Sequence, residues 1–181
     1  AGAAFYGPPA IGGSVNLITK SFGNEPAFSS EVGYGSFNTQ KLSFSAYTGR
    51  LWERLSLYTR VTRVTSSGYR DWSWSSFWKA FLAFSYNDKN NSLKINFQGG
   101  PQKDALAFYG IPKNYNDDSE LRKYNFGEVS KDVEYLHQPQ LSVLYDYNFN
   151  DHINLTTLFS ISPVMDISIL MEAGVQISIS D

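Results

Sequence analysis

Apolar and polar residues alternate at period two along most of the chain, in runs of strand length separated by polar turns, and no helical period is sustained. The first run covers 27–34 and is followed by the short link Gly35-Ser36-Phe37-Asn38. From 40 to 48, Leu42, Phe44 and Ala46 alternate with Lys41, Ser43, Ser45 and Tyr47. Beyond Gly49-Arg50-Leu51-Trp52-Glu53, the run 54–64 sets Leu55, Leu57, Thr59 and Val61 against Ser56, Tyr58, Arg60 and Thr62. The run 77–86 presents Trp78, Ala80, Leu82, Phe84 and Tyr86 on one face. After the polar turn 87–91, Leu93, Ile95 and Phe97 oppose Lys94, Asn96 and Gln98. Residues 99–137 read as a long irregular stretch. Two further runs, 140–149 and 153–159, carry Leu141, Val143, Tyr145 and Tyr147, then Ile153, Leu155, Thr157 and Phe159, joined by a brief turn at Asn150-Asp151.

This pattern predicts an all-β, antiparallel fold. A soluble sheet with one wet face accounts for the alternation as well as a transmembrane barrel does. Two features favour the barrel. From Trp78 to Tyr86 are eight residue steps, which at a rise of about 3.3 Å and a tilt near 40° span roughly 20 Å, close to the apolar band of an outer membrane. Trp and Tyr prefer the headgroup interfaces, so this face reads as lipid-facing with a girdle residue at each end. The connections also alternate: long over 66–76 and 99–137, short elsewhere. Short periplasmic turns and long extracellular loops are the barrel rule, so odd-numbered runs are expected to lead outward and even-numbered ones to return. The tight link 35–38 is the exception.

Composition narrows the function classes. Aromatics make up 16% of the 181 residues, and the net charge of −2 gives no electrostatic case for nucleic acid. There is no Cys, hence neither a disulfide framework nor a thiolate metal site. No run approaches the roughly 18 apolar residues that a membrane helix needs. The opening Ala1-Gly2-Ala3-Ala4-Phe5-Tyr6-Gly7 lacks Met, a basic n-region and an apolar h-region, so the expectation is a truncated chain. No catalytic constellation stands out: His137 and His152 sit apart, and no Ser lies in a Gly-x-Ser-x-Gly elbow. The reading is not an enzyme, with no cofactor and no metal. The acidic run Asn116-Asp117-Asp118-Ser119-Glu120 lacks a Ca²⁺-loop spacing and reads as a hydrated loop tip.

One segment is specific. Tyr6-Gly7, Ala10-Ile11-Gly12-Gly13, Val15-Asn16 and Ile18-Thr19-Lys20 resemble, in order and spacing, the stretch that closes the plug domain of TonB-dependent outer-membrane receptors. Pro9 departs from the pattern beside Ala10. The physics is legible on its own: Gly12-Gly13 permits close backbone approach, and Val15, Leu17 and Thr19 alternate with Asn16, Ile18 and Lys20 as a short strand does. A phosphate-binding Gly loop would need a helix to follow, and Val-Asn-Leu-Ile-Thr reads as a strand. The resemblance continues through Glu31-Val32-Gly33-Tyr34-Gly35-Ser36-Phe37-Asn38-Thr39, similar to the family's first barrel hairpin. More loosely, Ser67-Gly68-Tyr69-Arg70-Asp71, Gly99-Gly100-Pro101-Gln102-Lys103 and Phe108-Tyr109-Gly110-Ile111-Pro112 resemble receptors of the Bacteroidetes.

The resemblance implies an organisation and a function. Residues 1–22 would end the plug, and 23–159 would form about seven of the roughly 22 strands of such a barrel, leaving two unpaired edges that are a liability in isolation. The chain would sit in the outer membrane of a Gram-negative bacterium among outer-membrane lipids. It would draw energy from TonB and take up a scarce nutrient such as a ferric siderophore, haem or cobalamin. Ligand contacts are expected from aromatic and Arg side chains in the outer loops: Tyr69, Arg70, Trp72 and Trp74 in one, Phe108 and Tyr109 in the other. Interfacial anchoring or packing of the loops on themselves accounts for the same residues. A passive porin or structural barrel is the first alternative, and a soluble carbohydrate-binding β-domain the second.

The character changes over 160–181: every Trp, Tyr and Phe lies in the first 159 residues, while both Met, Met165 and Met171, lie in the last 22. The expectation is a tail read out of frame, although Ile177-Ser178-Ile179-Ser180 still alternates like a strand.

Overall fold

The computed structural model describes residues 24–129, 131–150, 152–164 and 168–179, so the plug-like segment 1–22 lies outside the described residues. The elements are β1 (Ala27–Gly35), β2 (Thr39–Tyr47), β3 (Leu55–Ser66), β4 (Ser75–Asn87), β5 (Asn91–Gly99), β6 (Pro101–Ala105), β7 (Val133–His137), β8 (Gln140–Asn148), β9 (Ile153–Val164) and β10 (Ser168–Ile179). All pairs are antiparallel, in the order β1-β2-β3-β4-β5-β8-β9-β10, with β6 between β4 and β7. The all-β expectation holds. The sheet is open, with β1 and β10 as its outer strands. Among the described residues the only helical pieces are the short 3-10 turns Lys113–Asp117, Leu121–Lys123 and Phe126–Glu128. Among the described residues no helix is long and apolar enough to cross a membrane.

Register assigns the faces, because residues directly opposite in a ladder project to the same side. Val32 faces Leu42, Leu42 faces Arg63 and Arg63 faces Trp78. Thr59 faces Leu82, Leu82 faces Phe97, Phe97 faces Leu141 and Leu141 faces Ile161. The apolar sets read from each separate run therefore merge into one continuous face over the eight-strand path. Nothing among the described residues covers it: Phe28, Val32, Phe44, Leu57, Leu82 and Phe97 are all exposed. The buried residues of the eight-strand path, Ser43, Ser56, Ala83 and Ser85, lie on the opposite face beneath longer neighbours. Tyr47 Oη donates to Ser56 Oγ at 3.2 Å, and Arg60 Nε donates to Ser43 Oγ at 3.1 Å.

The stretch 99–137 is not irregular throughout. Gln98 stands opposite Gln140 and Pro101 opposite His137, three residues further along each strand, so β5–β6 and β7–β8 keep one register across their interruptions. β6 likewise continues β5 along β4, with Phe77 opposite Gln102. Gly and Pro break strand patterning in sequence and weaken the ladder locally, which is why Gly99-Gly100-Pro101 and Pro139 masked the continuation. The backbone needs that break: at Gly100, φ is +153° and a Cβ would fall 1.9 Å from the Trp78 carbonyl oxygen.

Nor does the strand pattern stop at 159. β9 runs on to Val164, and β10 pairs back along it from Val164 opposite Ser168 to Ile153 opposite Ile179. The compositional change at 160 is thus not a break in the ladder.

The tight links have a local cause. Phe37 and Asn38 both take positive φ (58° and 53°), and Trp52 and Glu53 do the same (46° and 59°). Paired left-handed residues give the backbone twist that joins adjacent antiparallel strands. Thr39 N–H closes the first turn on Ser36 O at 3.1 Å, and Arg54 N–H the second on Leu51 O at 3.0 Å.

Gly100→Ala is expected to lower stability by on the order of 2 kcal/mol, read as a drop in the thermal unfolding midpoint of the purified protein. Gly110→Ala serves as the control, because an added Cβ there meets nothing within 4 Å.

Candidate functional site

Three links at one end of the sheet lock into a single unit. Arg70 is its clip: Nη1 donates to the carbonyls of Ala107 (2.8 Å) and Tyr109 (2.7 Å), while Nε and Nη2 donate to that of Tyr124 (3.2 and 2.7 Å). A planar guanidinium can satisfy several diverging acceptors at once. Asn125, fully buried, donates through Nδ2 to the carbonyls of Trp72 (2.9 Å) and Leu106 (3.1 Å) and accepts from Gly127 N–H at 3.0 Å. Ala105 N–H reaches Trp74 O at 2.9 Å, and Asp71 N–H reaches Lys123 O at 2.8 Å. The β1–β2 turn joins in, with Ser67 N–H donating to Phe37 O at 2.8 Å and the Phe37 and Tyr69 rings meeting edge-on at 5.4 Å. The short 35–38 link is thus docked on the β3–β4 loop.

The six candidate ligand-contact residues divide by environment. Phe108 and Tyr109 form a tilted pair with centroids 4.2 Å apart, and both are exposed, Phe108 by 64%. They present free aromatic surface. Tyr69 is exposed but leans on Phe37. Trp72 and Trp74 meet edge-on at 6.1 Å, with Lys131 Nζ 5.7 Å from the first ring and Lys103 Nζ 5.9 Å from the second. Lys103 also lies 4.9 Å from the Tyr135 ring. Such cation–π contacts hold loop strands together. The Trp72 Nε1 donor is buried with no partner. Arg70 directs its donors inward to backbone carbonyls, so its part in this arrangement is to shape the loops.

The polar face carries a second feature that the sequence pattern did not single out. Glu31 pairs with Lys41 at 2.7 Å and with Arg60 at 3.5 Å, and Ser43 Oγ and Thr62 Oγ1 share a hydrogen bond at 2.7 Å. Beside this chain lies a cavity of about 470 Å³ lined by Arg60, Lys79, Gln98, Gln102, Gln138 and Gln140, with the Gly99-Gly100 break in its wall. Gln98 donates to Gln140, and Gln102 to Asp104. Two cations and four carboxamides are set there among Ala80, Phe81 and Leu136, with no lining carboxylate, so the lining offers hydrogen-bonding groups and apolar surface together. The signal in sequence would have been the recurrence of Gln around two strand breaks. Among the described residues no cluster of three or more His, Asp or Glu offers a metal site. In the acidic run, Asp118 Oδ1 accepts from the N–H groups of Leu121 (3.0 Å) and Glu120 (2.8 Å), and Lys123 pairs with Glu120 at 3.1 Å. No family model, curated protein or solved structure matches the chain.

Arg70→Ala is expected to loosen the 106–125 segment by on the order of 2 kcal/mol, read as faster amide exchange there with the sheet unchanged. Arg70→Lys should not restore it, since one ammonium cannot reproduce the fork. The backbone N–H of Leu121, followed by that of Glu120, holds the Asp118 carboxyl below its ordinary range. The turn's contribution is therefore complete above the ordinary aspartate value and lost as pH falls through the lowered one. NMR titration should place the Asp118 midpoint below that of a free aspartate, and Asp118→Asn should abolish the coupled shift of the Leu121 amide.

Proposed function

We propose that this chain forms part of the wall of a β-barrel in the outer membrane of a Gram-negative bacterium, and that the barrel is a TonB-dependent receptor for a scarce nutrient. One observation carries the membrane half of this reading. Of the charged residues at strand positions from β1 to β9 on the eight-strand path, Glu31, Lys41, Arg60, Lys79, Lys94 and Asp146 fall by register on the polar side, and Arg63 alone on the apolar side. A soluble sheet buries its apolar face against a second layer. Here nothing among the described residues packs over that face, and Phe28, Val32, Phe44, Leu57, Leu82 and Phe97 stand exposed on it, as contact with hydrocarbon requires.

The receptor half rests on the resemblance of Tyr6-Gly7 and Ala10 to Lys20 to the plug-closing stretch. The exposed Phe108–Tyr109 pair and the cation- and Gln-lined cavity supply surfaces that a bulky polar solute could engage. A passive barrel would have no use for a plug.

Leu82 and Phe97 are direct cross-strand partners at the middle of the apolar face. Replacing both with Arg in the intact protein is expected to abolish insertion into the outer membrane, since each arginine costs about 2–4 kcal/mol at the bilayer midplane. Asn96→Arg, on the polar side, should leave insertion intact. Undiminished membrane content of the double variant, measured by fractionation, would overturn the membrane assignment. Growth on ferric siderophore, haem or cobalamin that depends on this protein should vanish in cells lacking TonB; growth indifferent to TonB would return the passive-barrel alternative.

A further inference from the structure

We infer that Arg63 and the groups around it bind the phosphate of a glycolipid headgroup in the leaflet at the loop-bearing end of the sheet; the inference rests on the membrane reading above. Arg63 is the one formal charge that register places on the apolar face of the eight-strand path, and it is exposed; on β6, Lys103 falls on the same side opposite Ser76, and its ammonium lies 4.9 Å from the Tyr135 ring. Its guanidinium carbon lies 5.2 Å from the centroid of Trp78, its cross-strand partner, and it takes part in no ion pair among those of the described residues.

An unpaired cation in an apolar surface is costly unless an anion meets it, and this face offers none: no acidic residue occupies any position of it on the described strands. The anion must therefore come from what covers the face. Its height fits a headgroup. Trp78 is the girdle residue at the loop end of β4, eight steps from Tyr86 at the other. One row closer to the loops, register aligns Gln40, Thr65 and Ser76, groups able to donate hydrogen bonds, with Lys103 at the end of the row. Below Arg63 come Val61 and Ala80, then Thr59 and Leu82, the band for acyl chains. A guanidinium braced on an indole, with hydroxyl and amide donors above and hydrocarbon below, is the chemistry of a phosphate joined to acyl chains. The long loops mark this end as the outer one, so the phosphate belongs to the outer leaflet, whose lipid is a phosphorylated glycolipid.

The test uses the intact protein purified in detergent and titrated with bisphosphorylated lipid A, its dephosphorylated form and phosphatidylglycerol, bound lipid being counted by native mass spectrometry. Wild type should prefer bisphosphorylated lipid A over the dephosphorylated form by about tenfold or more, the value of one charge-assisted contact. Arg63→Gln should erase that preference, Arg63→Lys should keep part of it, and Lys94→Gln, on the opposite face, should keep all of it. A preference unchanged in Arg63→Gln overturns the proposal, and so does phosphatidylglycerol binding as tightly as lipid A. The Leu82/Phe97 experiment reads insertion alone: normal insertion of wild type with no role for Arg63 sinks only this inference, while failure of the membrane reading appears there first.

Discussion

The interaction on which everything else depends is the antiparallel ladder and the parity of its register. Side chains along a strand alternate, so a slip of one residue at any connection would send every later side chain to the wrong face. Six of the seven links along the path are fully or partly described, and all seven preserve parity despite very different lengths. Two do so through left-handed pairs, Phe37-Asn38 between β1 and β2 and Trp52-Glu53 between β2 and β3. The longest does so through β6 and β7, which carry the register of β5 and β8 beyond the strand breaks before the chain turns back.

Once parity is held, energetics follow from what each face offers. The polar face pairs many of its own groups: Glu31 joins Lys41 and Arg60, Arg60 reaches Ser43, Ser43 reaches Thr62, and Thr156 donates to Asp146 at 2.7 Å, while Asn154 Oδ1 is buried without a partner. Exposed ion pairs of this kind stabilise little, but they keep formal charges together on one side. The apolar face has no such self-sufficiency. Burial of apolar surface is worth about 25 cal/mol per Å², and the exposed Phe28, Val32, Phe44, Leu57, Leu82 and Phe97 leave that stabilisation unrealised. Such a surface calls for apolar surroundings, which is the requirement the proposed membrane setting would meet.

Much of this was legible in the sequence because period-two alternation is a local signal. The runs at 27–34, 40–48, 54–64, 77–86 and 140–149 lie within two residues of the strands that formed, and Leu42, Val61, Leu82, Phe97 and Val143 fall on one face as their alternation implied. What was not legible is non-local. Gly99-Gly100-Pro101 looks like a loop because its continuation as a strand depends on β4 and β7, distant in sequence. The changed composition after 159 looked like a different kind of segment, yet alternation of Val175, Ile177 and Ile179 is enough to pair with Thr157, Leu155 and Ile153. Among the candidate residues, nothing local distinguishes Arg70, whose donors turn to three backbone carbonyls from 37 to 54 positions away, from an arginine that meets a ligand. The exposed Phe108–Tyr109 pair was findable, being adjacent in sequence.

The strand break at Gly99-Gly100 links the fold to the candidate site. A regular ladder leaves no room between facing strands for a cavity, and its side chains would close over the polar face as Tyr58 and Phe81 do lower down, with rings 5.9 Å apart. At Gly100 the backbone comes against the Trp78 carbonyl, and at Gly99 it meets Pro139, where a Cβ would lie 2.9 Å from the proline Cα. Both glycines leave their side of the cavity without a side chain, and the facing interruption before Pro139 turns Gln138 and Gln140 toward the same space as Gln98 and Gln102. Filling either glycine would therefore disturb the cavity together with the ladder. The same two residues let the hairpin above continue in register to carry the Arg70-locked loops, so cavity and loop cap are consequences of a single backbone device.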